Sequence, residues 1–242
     1  MTRLIFHWHS FVEIETNQGS ILIDPFITEN PKCDISLEDI LQKDILMIGV
    51  THWHTDHIWD TVKLAKSSGA KVVCSFELAN YFMDTCGLDN VQSMHIWGSY
   101  NSDFYSLKLV QAVHWGWIWK EGWNKQKRMQ IYPTKASGFV FSLEDYTVYH
   151  AWDTALTYDM KLLKDMDIDV AFLPIGDNFT MGVDDAVKAC KFIDPNIVVP
   201  IHYDTWDVIK VDSTEFAKKV MLENLAKPKV LNPGQLIDLE SI

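Results

Sequence analysis

Residues 51–57, THWHTDH, place three histidines and one aspartate within six consecutive positions. Imidazole and carboxylate groups are the ligands that zinc and related divalent metals prefer. In an extended segment His52 and His54 point to the same side, because side chains alternate with a period of two. Asp56 and His57 begin the next helix, where they can face a second point. The segment therefore predicts a loop that supplies ligands to two adjacent metal positions. Four potential ligands within six residues disfavour the alternative of a polar surface loop.

Three further candidate ligands each follow an apolar strand. His114 comes after SLKLVQAV, Asp153 after YTVYHAW and His202 after NIVVPI. Taken alone, each has a structural interpretation: a core histidine, or an aspartate that caps a helix starting near Thr154. Their shared placement favours function, because ligands of layered α/β folds gather at the ends of strands.

Short strands that alternate with helices position these residues. The apolar run 44–50 is typical of a buried strand and leads directly into the histidine segment. The other predicted strands are 2–8, 11–16, 20–23, 71–74, 105–113, 137–143, 146–150, 168–173, 196–201 and 235–239. The predicted helices are 58–67, 76–83, 155–164, 183–193 and 214–224. We therefore expect an α/β protein in which two sheets lie between helices.

Composition narrows the class of protein. The 242 residues suit one domain spanning 1–242, and the net charge of −12 argues against nucleic acid as the main partner. A hydrophobic fraction of 48% is typical of a globular protein. No apolar run reaches the roughly 18 residues of a membrane span. The start lacks the features of an export signal, and the four cysteines are scattered, so we expect a cytoplasmic protein.

The segment HWHTDH, with the later His114, Asp153 and His202, resembles the H-x-H-x-D-H…H…D…H pattern of the metallo-β-lactamase superfamily. The resemblance covers nearly the whole chain. It is closest to a group of uncharacterised bacterial and archaeal metal-dependent hydrolases related to ascorbate-6-phosphate lactonase, through ILIDPFITENP, YHAWDT, DVAFLPIGDNFTMG and IVVPIHYDT. It implies a four-layer αββα sandwich with a metal site at one edge.

The resemblance also implies roles for individual residues. One metal would be held by His52, His54 and His114, and the other by Asp56, His57 and His202, with Asp153 as the bridge. Zinc is the first expectation for both divalent ions, with manganese, nickel or iron as alternatives.

Three further roles concern residues around these ligands. Asp56 would also hold the nucleophile. His9 matches the histidine of the family's opening H-G-H-S segment, as a proton donor or substrate contact, or else it is an edge-strand histidine. Asp24 is either the partner of a ligand histidine or a turn residue before Pro25.

Tryptophan stands where the family usually carries glycine, at Trp8, Trp53, Trp59, Trp97 and Trp152. The chain has 11 glycines and 10 tryptophans, whereas the usual frequency predicts about 17 glycines. One hypothesis is that some of these codons are read as glycine in the source organism. The alternative is a genuine aromatic wall, with residues 114–123 as a substrate-binding loop. The stretch 120–135 is the one positively charged patch, and it either meets an anionic substrate or is a solvated loop.

These observations predict a metal-dependent hydrolase that uses a hydroxide bound to two metals on a small ester, lactone, amide or phosphoester. The alternative is a non-catalytic metal-binding domain with a relict site, which the complete ligand set disfavours. A diiron redox protein is disfavoured because flavodiiron relatives usually replace the second histidine of H-x-H by glutamate. We expect a small-molecule substrate, and neither a nucleic-acid nor a membrane partner.

Overall fold

The computed structural model describes residues 1–119 and 131–242. Within these residues the strands are β1 (Arg3–Phe6), β2 (Val12–Thr16), β3 (Gly19–Ile23), β4 (Ile45–Gly49), β5 (Lys71–Ser75), β6 (Val91–Met94), β7 (Ser99–Asn101), β8 (Tyr105–Trp119), β9 (Ile131–Leu143), β10 (Tyr146–His150), β11 (Val170–Pro174), β12 (Ile197–Ile201), β13 (Lys227–Pro228) and β14 (Leu236–Asp238). The α-helices are α1 (Leu37–Ile40), α2 (Thr55–Ile58), α3 (Thr61–Ser68), α4 (Phe76–Asp84), α5 (Val183–Ile193) and α6 (Ser213–Leu222). Short 3-10 helices span Tyr158–Met166, Asp207–Ile209 and Leu239–Ser241.

The strands form two mixed sheets. The first has the order β14-β1-β2-β3-β4-β5-β6, and the second has the order β13-β12-β11-β10-β9-β8-β7. Each sheet is antiparallel on one side and parallel on the other, with the parallel part running from β3 to β6 and from β10 to β13. Parallel neighbours need a crossover connection, and the helices supply most of these. The structure confirms the predicted α/β class with two sheets between helices.

One cluster of buried apolar side chains joins the facing sheets, and a second lies between the first sheet and α1, α3 and α4. Gly49 shows how closely the sheets approach, because a Cβ at this position would lie 2.7 Å from Cε2 of Phe139 in the opposite sheet. The Ser137 hydroxyl donates to the Thr51 carbonyl at 3.3 Å, again across the sheets. The histidine segment after β4 is thus fixed to both sheets.

Two predicted helices differ from the observed structure. The helix predicted over 58–67 begins later, as α3 at Thr61, and a separate short helix, α2, ends at Ile58. The buried Asp60 carboxylate accepts hydrogen bonds from the backbone N–H groups of Ile27 and Thr28, each at 2.8 Å. This contact with a distant loop holds the junction in place. The helix predicted over 155–164 is a 3-10 helix, Tyr158–Met166.

The long hairpin of β8 and β9 corrects another prediction. The strand predicted over 105–113 continues to Trp119, so His114 lies within β8 and not after its end. The pairing of β8 with β9 changes register between Gln111 and Trp115, and His114 lies in this irregularity. Residues 120–130 lie outside the described residues, together with most of the predicted positive patch and part of the predicted loop 114–123. Among the described helices, none has both the length and the apolar character needed to cross a membrane.

Candidate metal centre

Loops at the ends of strands from both sheets meet at one edge of the molecule. The loop after β4 comes from the first sheet, whereas β8 and the loops after β10 and β12 come from the second. These segments bring together all the side chains predicted as ligands, here termed the candidate metal site: His52, His54, Asp56, His57, His114, Asp153 and His202.

Three imidazoles and one carboxylate form the first half of the site. Nδ1 of His54 lies 2.8 Å from Nε2 of His52 and 3.1 Å from Nε2 of His114. Oδ2 of Asp153 lies 3.8 Å from Nε2 of both His52 and His114. Ligand atoms about 2.0–2.1 Å from one tetrahedral zinc lie roughly 3.3 Å apart. The observed spacings therefore fit four ligands of a single ion.

The second half contains Asp56, His57 and His202. Oδ2 of Asp56 lies 3.7 Å from Nε2 of His57 and 3.9 Å from Nε2 of His202. Oδ2 of Asp153 is even closer to these two nitrogens, at 3.4 Å and 3.2 Å. This single oxygen is thus within 3.8 Å of donor atoms in both halves, which is the placement that a bridging carboxylate requires.

Unpartnered atoms test whether the site suits a cation. Within the described chain, Nε2 of His57, Nε2 of His202 and Oδ1 of Asp153 are buried without a hydrogen-bond partner. Each such atom costs about 1–3 kcal/mol of desolvation. Burial also lowers the pKa of His52 well below its usual value and lowers the pKa of His54 and His114. Neutral imidazoles offer lone pairs to a metal, so these three histidines fit a divalent cation. Against burial, the carboxylates of Asp153 and Asp24 raise the pKa of His57, so a metal binds there in competition with a proton.

Asp24 orients two of the ligand imidazoles. Its Oδ2 accepts hydrogen bonds from Nδ1 of His57 and from the hydroxyl of Thr51, the latter at 2.8 Å. Nδ1 of His52 lies 3.1 Å from that hydroxyl and can donate to it. Both histidines then carry their proton on Nδ1 and direct the lone pair of Nε2 into the site. The sequence singled out Asp24 but not Thr51, which carries no signal beyond its position next to His52.

His9 lies behind Asp56. Its ring is fully buried, and Nε2 lies 3.1 Å from Oδ2 of Asp56 while Nδ1 lies 2.9 Å from the hydroxyl of Thr205. Burial lowers the pKa of His9 to about 4, so the ring is neutral and donates to Asp56. The side chain touches a candidate ligand and is not among the residues that line the open cavity. Sequence reasoning had no signal for its partner Thr205, which is 196 residues away.

The backbone around the site is held in an uncommon conformation. His9, Asp24 and His202 have φ of 59°, 46° and 54°. The left-handed region is tolerated by aspartate and histidine more readily than by bulky residues, and such strain concentrates at functional sites. The N–H of His202 donates to the carbonyl of His9 at 2.8 Å, which links the two sheets at this edge.

A cavity of about 180 Å³ opens above the candidate metal site. It is lined by His54, Asp56, His114, Asp153, Phe179, His202 and Trp206. Atoms of both halves of the site thus face the space in which a substrate would bind.

A two-sheet sandwich with histidines and aspartates at one edge defines a class of metal-binding proteins, and comparisons with known proteins agree. A family model described as "Beta-lactamase superfamily domain" matches residues 3–202. The chain is 47% identical over 240 residues to a UPF0173 metal-dependent hydrolase of Bacillus mycoides, covering 99% of this chain and 100% of that protein. It is 45% identical to a protein of the same description from Anoxybacillus flavithermus, over 98% of this chain and 100% of that one.

A solved structure is also similar. The metallo hydrolase Igni18 from the hyperthermophilic archaeon Ignicoccus hospitalis is 31% identical, with a TM-score of 0.83 and coverage of 98% of this chain and 97% of that chain. This chain belongs to the β-lactamase superfamily and, within it, to the family of metal-dependent hydrolases that these relatives represent. The family resemblance and the fold predicted from the sequence are confirmed.

Proposed function

We propose that this chain is a dinuclear metallohydrolase. One divalent cation would be held by His52, His54 and His114, and a second by Asp56, His57 and His202. Asp153 would bridge them. The observation that carries the proposal is the position of Asp153 Oδ2, which lies within 3.8 Å of donor atoms in both halves of the site. Zinc is the first expectation from this ligand set, and manganese, nickel and iron are alternatives.

Two cations in this site would lower the pKa of a shared water and supply a hydroxide nucleophile near neutral pH. The chain's own contribution is to orient the reacting groups. Although burial opposes it, the neighbouring imidazoles of His57 and His9 hold the pKa of Asp56 below its usual range. Asp56 therefore stays ionised at the cavity, where it would accept a hydrogen bond from a nucleophile held by the cations. His9 acts through Asp56 as a positioning residue.

The cavity suits a small substrate such as an ester, lactone, amide or phosphoester. The four cysteines are free in the structure, which supports work in the reducing cytoplasm. We propose that residues 1–242 act as one domain, because the ligands come from segments spread over most of the chain.

Chelation followed by metal replacement tests this function. Treatment with a chelator should abolish hydrolysis of a panel of esters, lactones, amides and phosphoesters, and zinc or manganese should restore it. His54→Ala should lose metal and activity together, because it removes one ligand. His95→Ala is the matched control, since His95 is exposed and lies outside the site. A His54→Ala enzyme that retains full metal and full activity would refute the proposal.

A further inference from the structure

Two aromatic side chains at the open cavity are left partly uncovered by the part of the chain that the structure describes. Phe179 is 53% exposed and Trp206 is 39% exposed, and both line the cavity of the candidate metal site. Exposed aromatic surface beside a concave polar site is typical of a contact for a ligand.

The chain fixes both side chains to the site. Phe179 lies in a turn closed by the Asp177 N–H donating to the Met181 carbonyl at 3.0 Å, and the Met181 N–H donates to the Thr154 carbonyl at 2.9 Å. This second bond ties the turn to the segment next to Asp153. The Trp206 ring lies 5.0 Å from the ring of His9 and 6.2 Å from that of Phe26. Both aromatic side chains are therefore held in place relative to the candidate metal-binding residues.

The lining of the cavity bears on the charge and size of the substrate. Among the described residues, neither lysine nor arginine lines it. The imidazoles and carboxylates that do so are those assigned to the cations. Within this part of the chain, a carboxylate or phosphate on the substrate's side group would therefore meet no cationic side chain. An enclosed cavity of about 150 Å³ holds benzene, so the open cavity of about 180 Å³ has room for a group of that size.

Building on the proposed function, we infer that the substrate is an uncharged ester, lactone or amide with an apolar group, about the size of a benzene ring, that packs on Phe179 and Trp206. For an ester such as benzyl acetate, hydrolysis breaks the acyl C–O bond. Water supplies the oxygen of the new acid and the proton of the released benzyl alcohol. These two aromatic residues bind the apolar group and take no part in the bond changes.

Matched esters test the inference. We expect kcat/KM for benzyl acetate, whose alcohol is about as poor a leaving group as methanol, to exceed that for methyl acetate and for para-carboxybenzyl acetate by about tenfold each. Phe179→Ala should raise KM for benzyl acetate by about tenfold, whereas Trp206→Phe should keep most of the affinity. Phe76→Ala is the control, because Phe76 is similarly exposed but does not line the cavity. Preference for the charged ester, or an unchanged KM in Phe179→Ala, would overturn the inference.

Binding of benzyl alcohol gives a readout that does not depend on turnover. Calorimetry should show its Kd weakened about tenfold by Phe179→Ala, in both metal-loaded and chelated protein. Equal Kd values in the variant and the parent would also overturn the inference. If no ester is hydrolysed and no metal binds, the proposed function itself fails, so the two failures are distinguishable.

A second inference comes independently from the backbone. Trp8, Trp97 and Trp152 have φ of 84°, 66° and 77°. The other non-glycine residues with positive φ in the described chain are aspartates, asparagines, histidines and one glutamate. A bulky side chain in this region is a genuine outlier, whereas glycine enters it freely. Trp53 does not share this conformation, and Trp59 has φ of −48°.

Trp152 also contacts Asp24, the carboxylate that orients ligand histidines of the candidate metal site. Its indole Nε1 donates at 2.9 Å to Oδ2 of Asp24, the oxygen that already accepts from His57 and Thr51. A carboxylate oxygen has two lone pairs, so a third donor competes with the groups that orient the ligands. Glycine at 152 would leave Asp24 to these two groups alone.

We infer that positions 8, 97 and 152 are glycine in the protein that the source cell makes, with the corresponding codons read as glycine. Trp206, with φ of −136°, is not one of these positions. Peptide mass spectrometry of the protein from its native cells should find glycine at all three positions. The gene should carry codons other than TGG at these positions. Tryptophan in those peptides would overturn the inference.

Stability of the recombinant chain gives a second test. Trp97 is the most exposed of the three tryptophans, so its removal costs the least packing. Trp97→Gly should therefore raise Tm, whereas Trp97→Ala should not, because alanine keeps the Cβ. Trp115→Gly is the control: Trp115 is 69% exposed in β8 without positive φ, and glycine there should lower Tm. A Trp97→Gly protein with a lower Tm than the parent would count against the inference.

Discussion

Two groups of ionisable side chains, each built around buried histidine, differ in how their polar atoms are satisfied. In the first, here termed the His7 cluster, Nδ1 of His7 lies 2.8 Å from Asp34 and Nε2 lies 3.0 Å from Glu13. Lys43 donates to both oxygens of Glu13 at 2.7 Å. In the candidate metal site, by contrast, ring nitrogens of His57 and His202 remain without a partner.

The difference separates a structural role from a binding role. A buried polar network in which each member is paired stabilises the fold and requires no ligand. Converging lone pairs without donors repel one another and cost free energy until a cation binds. Histidine content alone therefore does not identify a site, and neither does a single unpaired nitrogen such as Nδ1 of His150. Several unpaired atoms that converge with other possible ligands do.

The largest effect is expected from a substitution of Asp153, the carboxylate between the two halves of the candidate metal site. Asp153→Asn removes the charge that lies near both halves, so bound metal should fall from about two ions to one or fewer, and kcat/KM should fall at least about a hundredfold. Elemental analysis and kinetics check this, with Asp185→Asn, an exposed aspartate on α5, as the control. Two tightly bound ions in Asp153→Asn would show that the carboxylate does not bridge.

A substitution in the His7 cluster should change the stability of the fold and leave the metal content unchanged. The hydrogen bonds of His7 and Lys43 outweigh burial and lower the pKa of Glu13 to about 2 from 4.5. Because the folded-state pKa is the lower one, the ionised carboxylate stabilises the fold above pH 4.5, and this contribution is lost as pH falls toward 2. Glu13→Gln should lower the free energy of unfolding at pH 7 by about 2 kcal/mol.

Urea denaturation as a function of pH measures this contribution. The difference between the parent and Glu13→Gln should shrink as pH falls through the same interval, while metal per folded chain stays the same. A difference that is constant with pH would show that the carboxylate charge is not what stabilises this cluster.

A smaller effect on metal affinity is expected at Asp24, which orients the ligand histidines. Asp24→Asn keeps the shape and suits the same positive φ, but it weakens acceptance from His57 and Thr51. Metal affinity should fall about 10–100-fold without loss of the fold. Competition with a coloured chelator measures the affinity. An unchanged Kd would mean that Asp24 does not orient the ligands.

The smallest expected effect is at His9. His9→Asn tolerates the left-handed backbone and should leave metal content unchanged, while turnover falls by up to about tenfold because Asp56 is less well held. A pH profile of kcat distinguishes this role from a purely structural one, since a looser Asp56 should alter the profile. Parent-like turnover and profile would assign His9 to the fold alone.

The candidate ligands could be predicted because they are local signals. The spacing of His52, His54, Asp56 and His57 is contained in six residues, and each later ligand comes directly after an apolar stretch of sequence. The family match supports the fold that this pattern indicated. The structure brings these groups together, and their binding of metal stays a prediction.

What the sequence could not show depends on distant contacts. The break between α2 and α3 is fixed by Asp60 binding the backbone near Ile27, which no local pattern contains. The continuation of β8 beyond His114 depends on its pairing with β9. The hydrogen bond from Thr205 to His9 likewise joins residues far apart in the chain. The positive φ angles of Trp8, Trp97 and Trp152 are likewise a property of the folded backbone that the sequence does not show.

Native mass spectrometry of the folded chain during a zinc titration tests the central claim most directly, because it counts bound ions. The account predicts saturation at about two ions per chain, with a rise in Tm on binding as expected for a ligand that prefers the folded state. His54→Ala and Asp153→Asn should each reduce the count, whereas Glu13→Gln should not. A folded chain that binds no zinc, manganese, nickel or iron would contradict the account.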